Sequence, residues 1–195
     1  PNSLVVEGPA DMLYLRAVSA QLEREGRVGL SEDWVITPVG GSGKVPAFVA
    51  LLAPQKGMNV ATLLDIQNSD RILIEDLYKK KLLAKKQVVT YADFTGGEEA
   101  DVEDMFERDF YLELVNAEFS SQLKSSIKSS ALNAKVPRTL RAIEAYFDKQ
   151  PLKFGAFGHY RPARYFSDNA AVLWPKVSEA TKNRFEAAFK RLNAL

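Results

Sequence analysis

The chemistry-bearing residues of this 195-residue chain are carboxylates. Glu7 follows the apolar run Ser3-Leu4-Val5-Val6, and Asp65 follows Asn59-Val60-Ala61-Thr62-Leu63-Leu64. Asp11 stands one helical turn beyond Glu7, and a third acidic group runs Glu98-Glu99-Ala100-Asp101-Val102-Glu103-Asp104. Asp101 and Asp104 are three apart, as are Ala100 and Glu103, so this group can aim more than one carboxylate at one point. With no Cys and one His in the chain, such a cluster makes an oxygen-only site. That chemistry suits hard cations, Mg²⁺, Mn²⁺ or Ca²⁺. A pair of such ions roughly 3.5–4 Å apart activates water and stabilises the leaving oxygen in phosphodiester cleavage. The same acids have a second reading: near helix N-termini they are favoured by the macrodipole and by capping, with no metal required.

The elements that would position these residues alternate. A strand over Ser3-Leu4-Val5-Val6 ends at Glu7-Gly8-Pro9, and Pro9 suits the first position of a helix over 9–25. Trp34-Val35-Ile36-Thr37-Pro38-Val39 reads as a second strand, Gly40-Gly41-Ser42-Gly43 as a loop, and Ser42 as the cap of a short helix over 44–53. A third strand ends at Leu64, a Lys-rich helix is expected over 69–85, and a fourth strand over 87–91. Strands and helices alternating at this pace, with near-continuous apolar strands, predict a parallel sheet covered on both faces. In such sheets sites form at the carboxyl ends of strands, near the switch in strand order. From Asp101 onward only helices are predicted: 102–108, 110–117, 137–149, 161–173 and 176–192, with a Ser- and Lys-rich stretch at 119–130. The expected architecture is an α/β core over 1–118 with a helical, basic part over 119–195.

Composition narrows the function classes. Without Cys there is no disulfide framework, thiolate zinc site, Fe–S cluster or Cys nucleophile, and one His excludes a His-rich metal cage. With 46% hydrophobic and 26% charged residues the chain is globular rather than disordered. No apolar run reaches the roughly 18 residues that span a bilayer, and no signal peptide is visible, so no membrane partner and a cytoplasmic location are expected. The net charge of +1 hides a split: residues 1–120 carry 12 Lys and Arg against 20 Asp and Glu, residues 121–195 carry 14 against 5. Such a split suits cations on one side and an anionic polymer on the other, or solvated helix faces alone.

Four ordered segments carry a resemblance. Leu4-Val5-Val6-Glu7-Gly8-Pro9-Ala10-Asp11 resembles the EGxxD opening of Toprim domains, in particular that of the OLD (overcoming lysogenisation defect) family nucleases. Thr37-Pro38-Val39-Gly40-Gly41-Ser42-Gly43-Lys44-Val45-Pro46 is similar to the TPVGG…KV segment of the same proteins. Leu63-Leu64-Asp65 stands where the Toprim DxD motif begins, and Ala100-Asp101-Val102-Glu103-Asp104-Met105-Phe106 resembles the family's acidic helix start. The resemblance implies a Toprim-like fold and a metal-dependent DNA endonuclease working by a two-metal mechanism. Glu7, Asp11, Asp65, Asp101 and Glu103 would hold one or two ions of Mg²⁺ or Mn²⁺, two being the number that the mechanism implies. It also implies that this is the C-terminal catalytic fragment of a longer parent whose N-terminal part is an ABC-type ATPase. The chain departs from the pattern at Gln67, which takes the third position of DxD. Either Asp65 suffices with help from the acidic group, or Asp70 serves, or the second metal site is impaired.

Basic residues complete the expectations. Lys153, in the segment Pro151-Leu152-Lys153-Phe154-Gly155-Ala156-Phe157-Gly158-His159-Tyr160-Arg161-Pro162, is the candidate to offset charge on the scissile phosphate, with Arg161 second. His159 is expected in a structural or phosphate-contacting role. Lys44, Arg138, Arg161 and Arg164 are the DNA-binding candidates, and Lys124, Lys128, Lys135, Arg141, Lys182, Arg184, Lys190 and Arg191 could extend a phosphate-binding face. The loop before Lys44 lacks the full GxxxxGK[ST] phosphate-loop pattern. Phe185, Phe189 and Leu192 fall at helical spacing and are expected in the core. Two rivals to the endonuclease remain: a Toprim-like nucleic-acid-binding module that has lost activity, and a Toprim enzyme of another kind, such as part of a primase or topoisomerase. The last lacks a candidate nucleophilic Tyr near the acidic motifs.

Overall fold

The computed structural model describes residues 2–67, 72, 75, 77, 79, 80 and 82–195. The helix expected over 69–85 falls largely outside the described residues, and Asp70 lies wholly outside them.

Four strands, β1 (Asn2–Val6), β2 (Trp34–Pro38), β3 (Asn59–Leu64) and β4 (Val88–Thr90), form one sheet in the order β2-β1-β3-β4. Every pairing is parallel, with Leu4 opposite Ile36 on one side and Ala61 on the other. Side chains along β1 alternate between two cores, because successive strand residues face opposite ways. Leu4 and Val6 join one cluster with Ala61, Leu63 and Val89, while Val5 joins another with Val60, Leu64 and Val88. The expected α/β architecture, a parallel sheet flanked by helices and continued by a helical C-terminal part, is the one observed.

Seven α-helices are described: α1 (Pro9–Arg24), α2 (Val45–Leu52), α3 (Ala92–Thr95), α4 (Arg108–Glu118), α5 (Thr139–Lys149), α6 (Tyr160–Leu173) and α7 (Glu179–Asn193). Pro9 opens α1, and Ala10, Tyr14, Val18 and Leu22 recur every fourth residue as its buried face. Against that face pack α6 and α7. Phe185, Phe189 and Leu192 are fully buried there, as expected from their spacing. Phe106 is a hub of this side, its ring 5.1 Å from Tyr14, 5.2 Å from Phe185 and 5.4 Å from Phe166. The larger core runs from Leu4 to Leu192 and crosses residue 118 without interruption.

Two local expectations are corrected. Residues 102–108 do not form an α-helix; Val102–Met105 is a 3₁₀ turn, and α4 starts afterwards. Asp104 folds its carboxylate back onto the N–H of Asp101 at 3.0 Å and so closes this turn on itself. Ser42 opens a second 3₁₀ turn, Ser42–Lys44, and makes no side-chain cap on α2.

Candidate functional site

The chain leaves β1 for β2 on one side and later places β3 on the other, so the strand order switches between β1 and β3. Parallel sheets form their ligand crevice at this point, beyond the carboxyl ends of the strands. Glu7 and Asp65 stand there, each the first residue after its strand. Glu7 is held through its backbone: its carbonyl accepts from the N–H groups of Gly40 and Gly41, both at 2.8 Å. Gly40 and Gly41 have φ of 79° and 117°, a region that disfavours side chains, so the glycines of this loop serve the approach to Glu7.

A single antiparallel bridge brings in the third acidic group. Ile66 and Ala100 exchange N–H···O bonds of 2.9 and 3.0 Å, which lays Asp65 opposite Asp101; Gln67 is joined to Asp101 through Arg138. The 3₁₀ turn then carries Glu103 inward, to 1% exposure. Asp104 also ties that turn to α5, because its other oxygen accepts from the N–H of Thr139, the first residue of α5, at 2.8 Å.

The partners of the five carboxylates differ. Asp11 is buried; one oxygen accepts from the Gly8 N–H at 2.9 Å and the other from the Tyr91 hydroxyl at 2.8 Å. Asp101 is fully buried and both its oxygens accept from the Arg138 guanidinium, through Nε at 3.0 Å and through Nη2. The third nitrogen, Nη1, donates to Gln67 Oε1 at 2.9 Å, and Arg141 Nη2 reaches the same oxygen at 3.3 Å. Glu103 Oε1 lies 3.0 Å from His159 Nδ1. Its second oxygen, Oε2, and Asp65 Oδ1 are buried with no hydrogen-bond partner.

Burial and crowding raise three of these acids, Asp11, Asp65 and Asp101. Burial, then the fields of Asp11, Asp101, Glu7 and Glu103, push Asp65 well above the usual carboxylate range. Burial pushes Asp11 up to about 6, and the Tyr91 bond partly offsets this. Burial also pushes Asp101 up to about 7 while Arg138 pulls it down. Since both oxygens of Asp101 accept N–H bonds, the ionised form is the one the geometry holds. His159 is raised, first by its bond to Glu103.

The donor set fits a hard cation: every available donor is a carboxylate oxygen, two buried oxygens lack partners, and the mutual repulsion is what a cation would relieve. Among the described residues no three of His, Asp and Glu already stand at a cation's spacing, so the carboxylates would have to close on an ion to hold it.

The expected cations are placed differently. Arg138, 7% exposed, faces Asp101 and Gln67 rather than an open surface. Arg161 pairs with Glu118 at 2.7 Å and lies over the Phe119 ring, and Arg164 stands 3.6 Å from Asp168 on an exposed face. Lys182 is buried against Glu25, Arg184 bonds Glu107 and Arg191 bonds Asp93. Much of the basic C-terminal part therefore holds acids of the first 120 residues. Lys44, Lys124, Lys128, Lys135 and Lys153 are exposed, and the Lys153 ammonium lies 3.5 Å from the Ser121 carbonyl.

Sequence reasoning missed two members of the site. Tyr91 directly follows β4, so the rule that pointed to Glu7 and Asp65 applies equally to it. His159 is expected from sequence in a structural or phosphate-contacting role, with no partner named; its place just before α6 carries no signal that the partner is Glu103.

The fold and the switch-point site define a Toprim-like α/β module. Its fold is that of the C-terminal regions of OLD proteins. The C-terminal region of the Xanthomonas campestris pv. campestris OLD protein phased with mercury is 17% identical, with a TM-score of 0.52, covering 97% of this chain and 96% of that one. The same region phased with platinum gives 18% identity and a TM-score of 0.50, over 99% and 95%. The C-terminal region of the Burkholderia pseudomallei OLD protein is 15% identical, with a TM-score of 0.51, over 96% and 98%. At such identities the shared property is the fold. No protein-family model and no curated protein matches the chain. Among the described residues no helix is long and apolar enough to cross a membrane.

Proposed function

We propose that this chain is a divalent-metal-dependent DNA endonuclease, using Mg²⁺ or Mn²⁺. The observation that carries the reading is the pair of partnerless buried oxygens, Asp65 Oδ1 and Glu103 Oε2, at the switch point beside Glu7. Glu7, Asp65 and Glu103 would hold the cation. Bound there, it would supply an activated water and stabilise the leaving oxygen of a phosphodiester. His159 occupies Oε1 of Glu103 and leaves Oε2 to face a ligand. Asp11, fixed by Gly8 and Tyr91, positions negative charge behind this set. Lys153 is the candidate for offsetting charge on the phosphate, and the exposed Lys44 and Arg164 for gripping the DNA backbone. From the same resemblance we infer an ABC-type ATPase as the preceding part of a longer parent.

The test is conversion of supercoiled plasmid, without ATP, in Mg²⁺ or Mn²⁺ against EDTA. The parent is expected to nick or cut only with the cation, and Glu7→Ala and Asp65→Ala to lose at least about 100-fold. Equal cutting by those variants would remove the site from the reaction. The engagement of Gln67 by Arg138 and Arg141 favours a second reading, a nucleic-acid-binding module without catalysis. It predicts salt-sensitive DNA binding and no cleavage in any divalent ion.

A further inference from the structure

The acids at the switch point are not equally available to a cation. Both oxygens of Asp11 are taken by Gly8 and Tyr91, and both oxygens of Asp101 by Arg138. Gln67 adds no charge, and its carbonyl oxygen already accepts from two guanidinium groups. Asp65 and Glu103 each keep a partnerless buried oxygen, and Glu7 stands near Asp65 at the end of β1. Three carboxylates match one divalent ion. A second ion would have to be built on the Gln67–Asp101 side, where a planar guanidinium is already held by three N–H bonds. Arg keeps its charge at any working pH and its fork fits a carboxylate, so this cation is permanent.

We propose that the Arg138 guanidinium, clamped between Asp101 and Gln67, takes the place of one of two cations, so that this chain binds a single divalent ion on Glu7, Asp65 and Glu103. The proposal deepens the metal-dependent reading above and rests on it. The Gln67 departure and Arg138 then form one unit: a neutral acceptor at 67 suits a guanidinium, where an acid would suit a metal. Arg141, also on Gln67 Oε1, reinforces the choice.

The experiment is calorimetric titration of Mn²⁺ into the EDTA-treated, dialysed chain, with electron paramagnetic resonance of the loaded protein. One ion per chain is expected, with the six-line spectrum of an isolated Mn²⁺. Two ions per chain, or the broadened signal of neighbours roughly 3.5–4 Å apart, would overturn the proposal and leave the nuclease reading standing. No binding would overturn both. One bound ion with no plasmid cleavage would sink the endonuclease reading and leave this one intact. Gln67→Asp alone, which keeps the guanidinium, is expected to stay at one ion. Gln67→Asp/Arg138→Gln, once circular dichroism shows it folded, is expected to rise to two; a folded double variant still binding one would overturn the role of Arg138. Should it not fold, the stoichiometry of the parent decides by itself.

Discussion

The Tyr91 hydroxyl donates to Asp11 Oδ1 at 2.8 Å, joining the end of β4 to the first turn of α1 across 80 residues of chain. The bond is buried, and the Gly8 N–H holds the other oxygen, so the Asp11 carboxylate has one orientation. Tyr91→Phe leaves that oxygen buried without a donor. We expect a loss of about 1–3 kcal/mol in urea denaturation. Because the Tyr91 bond lowers the pKa of Asp11, its removal should move the Asp11 titration upward, read by carboxyl carbon NMR. An unchanged titration would mean that the phenol does not govern this carboxylate.

Stability should fall as pH rises. Asp11 has a folded pKa of about 6 against 3.8, so the folded state binds the proton more tightly than the unfolded chain. The associated stability is fully present below 3.8 and is lost as pH rises through about 6. For Asp11 alone this contributes on the order of 3 kcal/mol. Asp65, raised by burial and its acidic neighbours, and His159, raised by its bond to Glu103, act in the same direction. The melting temperature in EDTA is expected to be higher at pH 5 than at pH 8, and Mn²⁺ to reduce the difference. A melting temperature that climbs from pH 5 to pH 8 in EDTA would contradict this.

Arg138 and Asp101 form a buried ion pair, and removing one partner strands the other charge. Arg138→Met should cost about 3–5 kcal/mol in denaturant unfolding. Arg138→Met/Asp101→Leu should recover a large part of that, because neither charge then remains. If the double variant is as unstable as the single one, the pair is not the origin of the loss.

Exposed and paired cations should separate in a salt titration of DNA affinity. Lys44→Ala and Lys153→Ala are each expected to reduce the slope of log affinity against log salt by about 1. Lys182→Ala should leave the slope unchanged and lower stability instead, since its ammonium is buried on Glu25 at 2.8 Å and stands 5.1 Å from the Trp174 ring centroid. The opposite pattern would place the DNA face on α7.

The strands were legible because they are continuous apolar runs ended by turn residues: β3 spans Asn59–Leu64, as the run predicts, and β1, β2 and β4 each agree to within about a residue at either end. Glu7 and Asp65 were legible for the same reason, since the end of a strand is visible in the chain. Pairing across distance was not. Arg138 is 37 residues from Asp101 and 71 from Gln67, and no local pattern marks a guanidinium as internal rather than exposed. Both readings of the charge split point outward, to a polymer or to solvent, whereas Lys182, Arg184 and Arg191 turn inward to acids of the first 120 residues. The turn at Val102–Met105 escaped because Asp104 satisfies both Asp101 and Thr139, and the second partner lies 35 residues ahead.

The Ile66–Ala100 bridge is made of backbone alone. Its two hydrogen bonds set where positions 65, 67 and 101 stand, whatever side chains occupy them. The scaffold is thus a socket whose contacts can be exchanged: acids for metal, or an amide and an arginine for a fixed charge. On the single-ion proposal, the number of ions bound would change through substitutions at two positions, with the sheet left as it is.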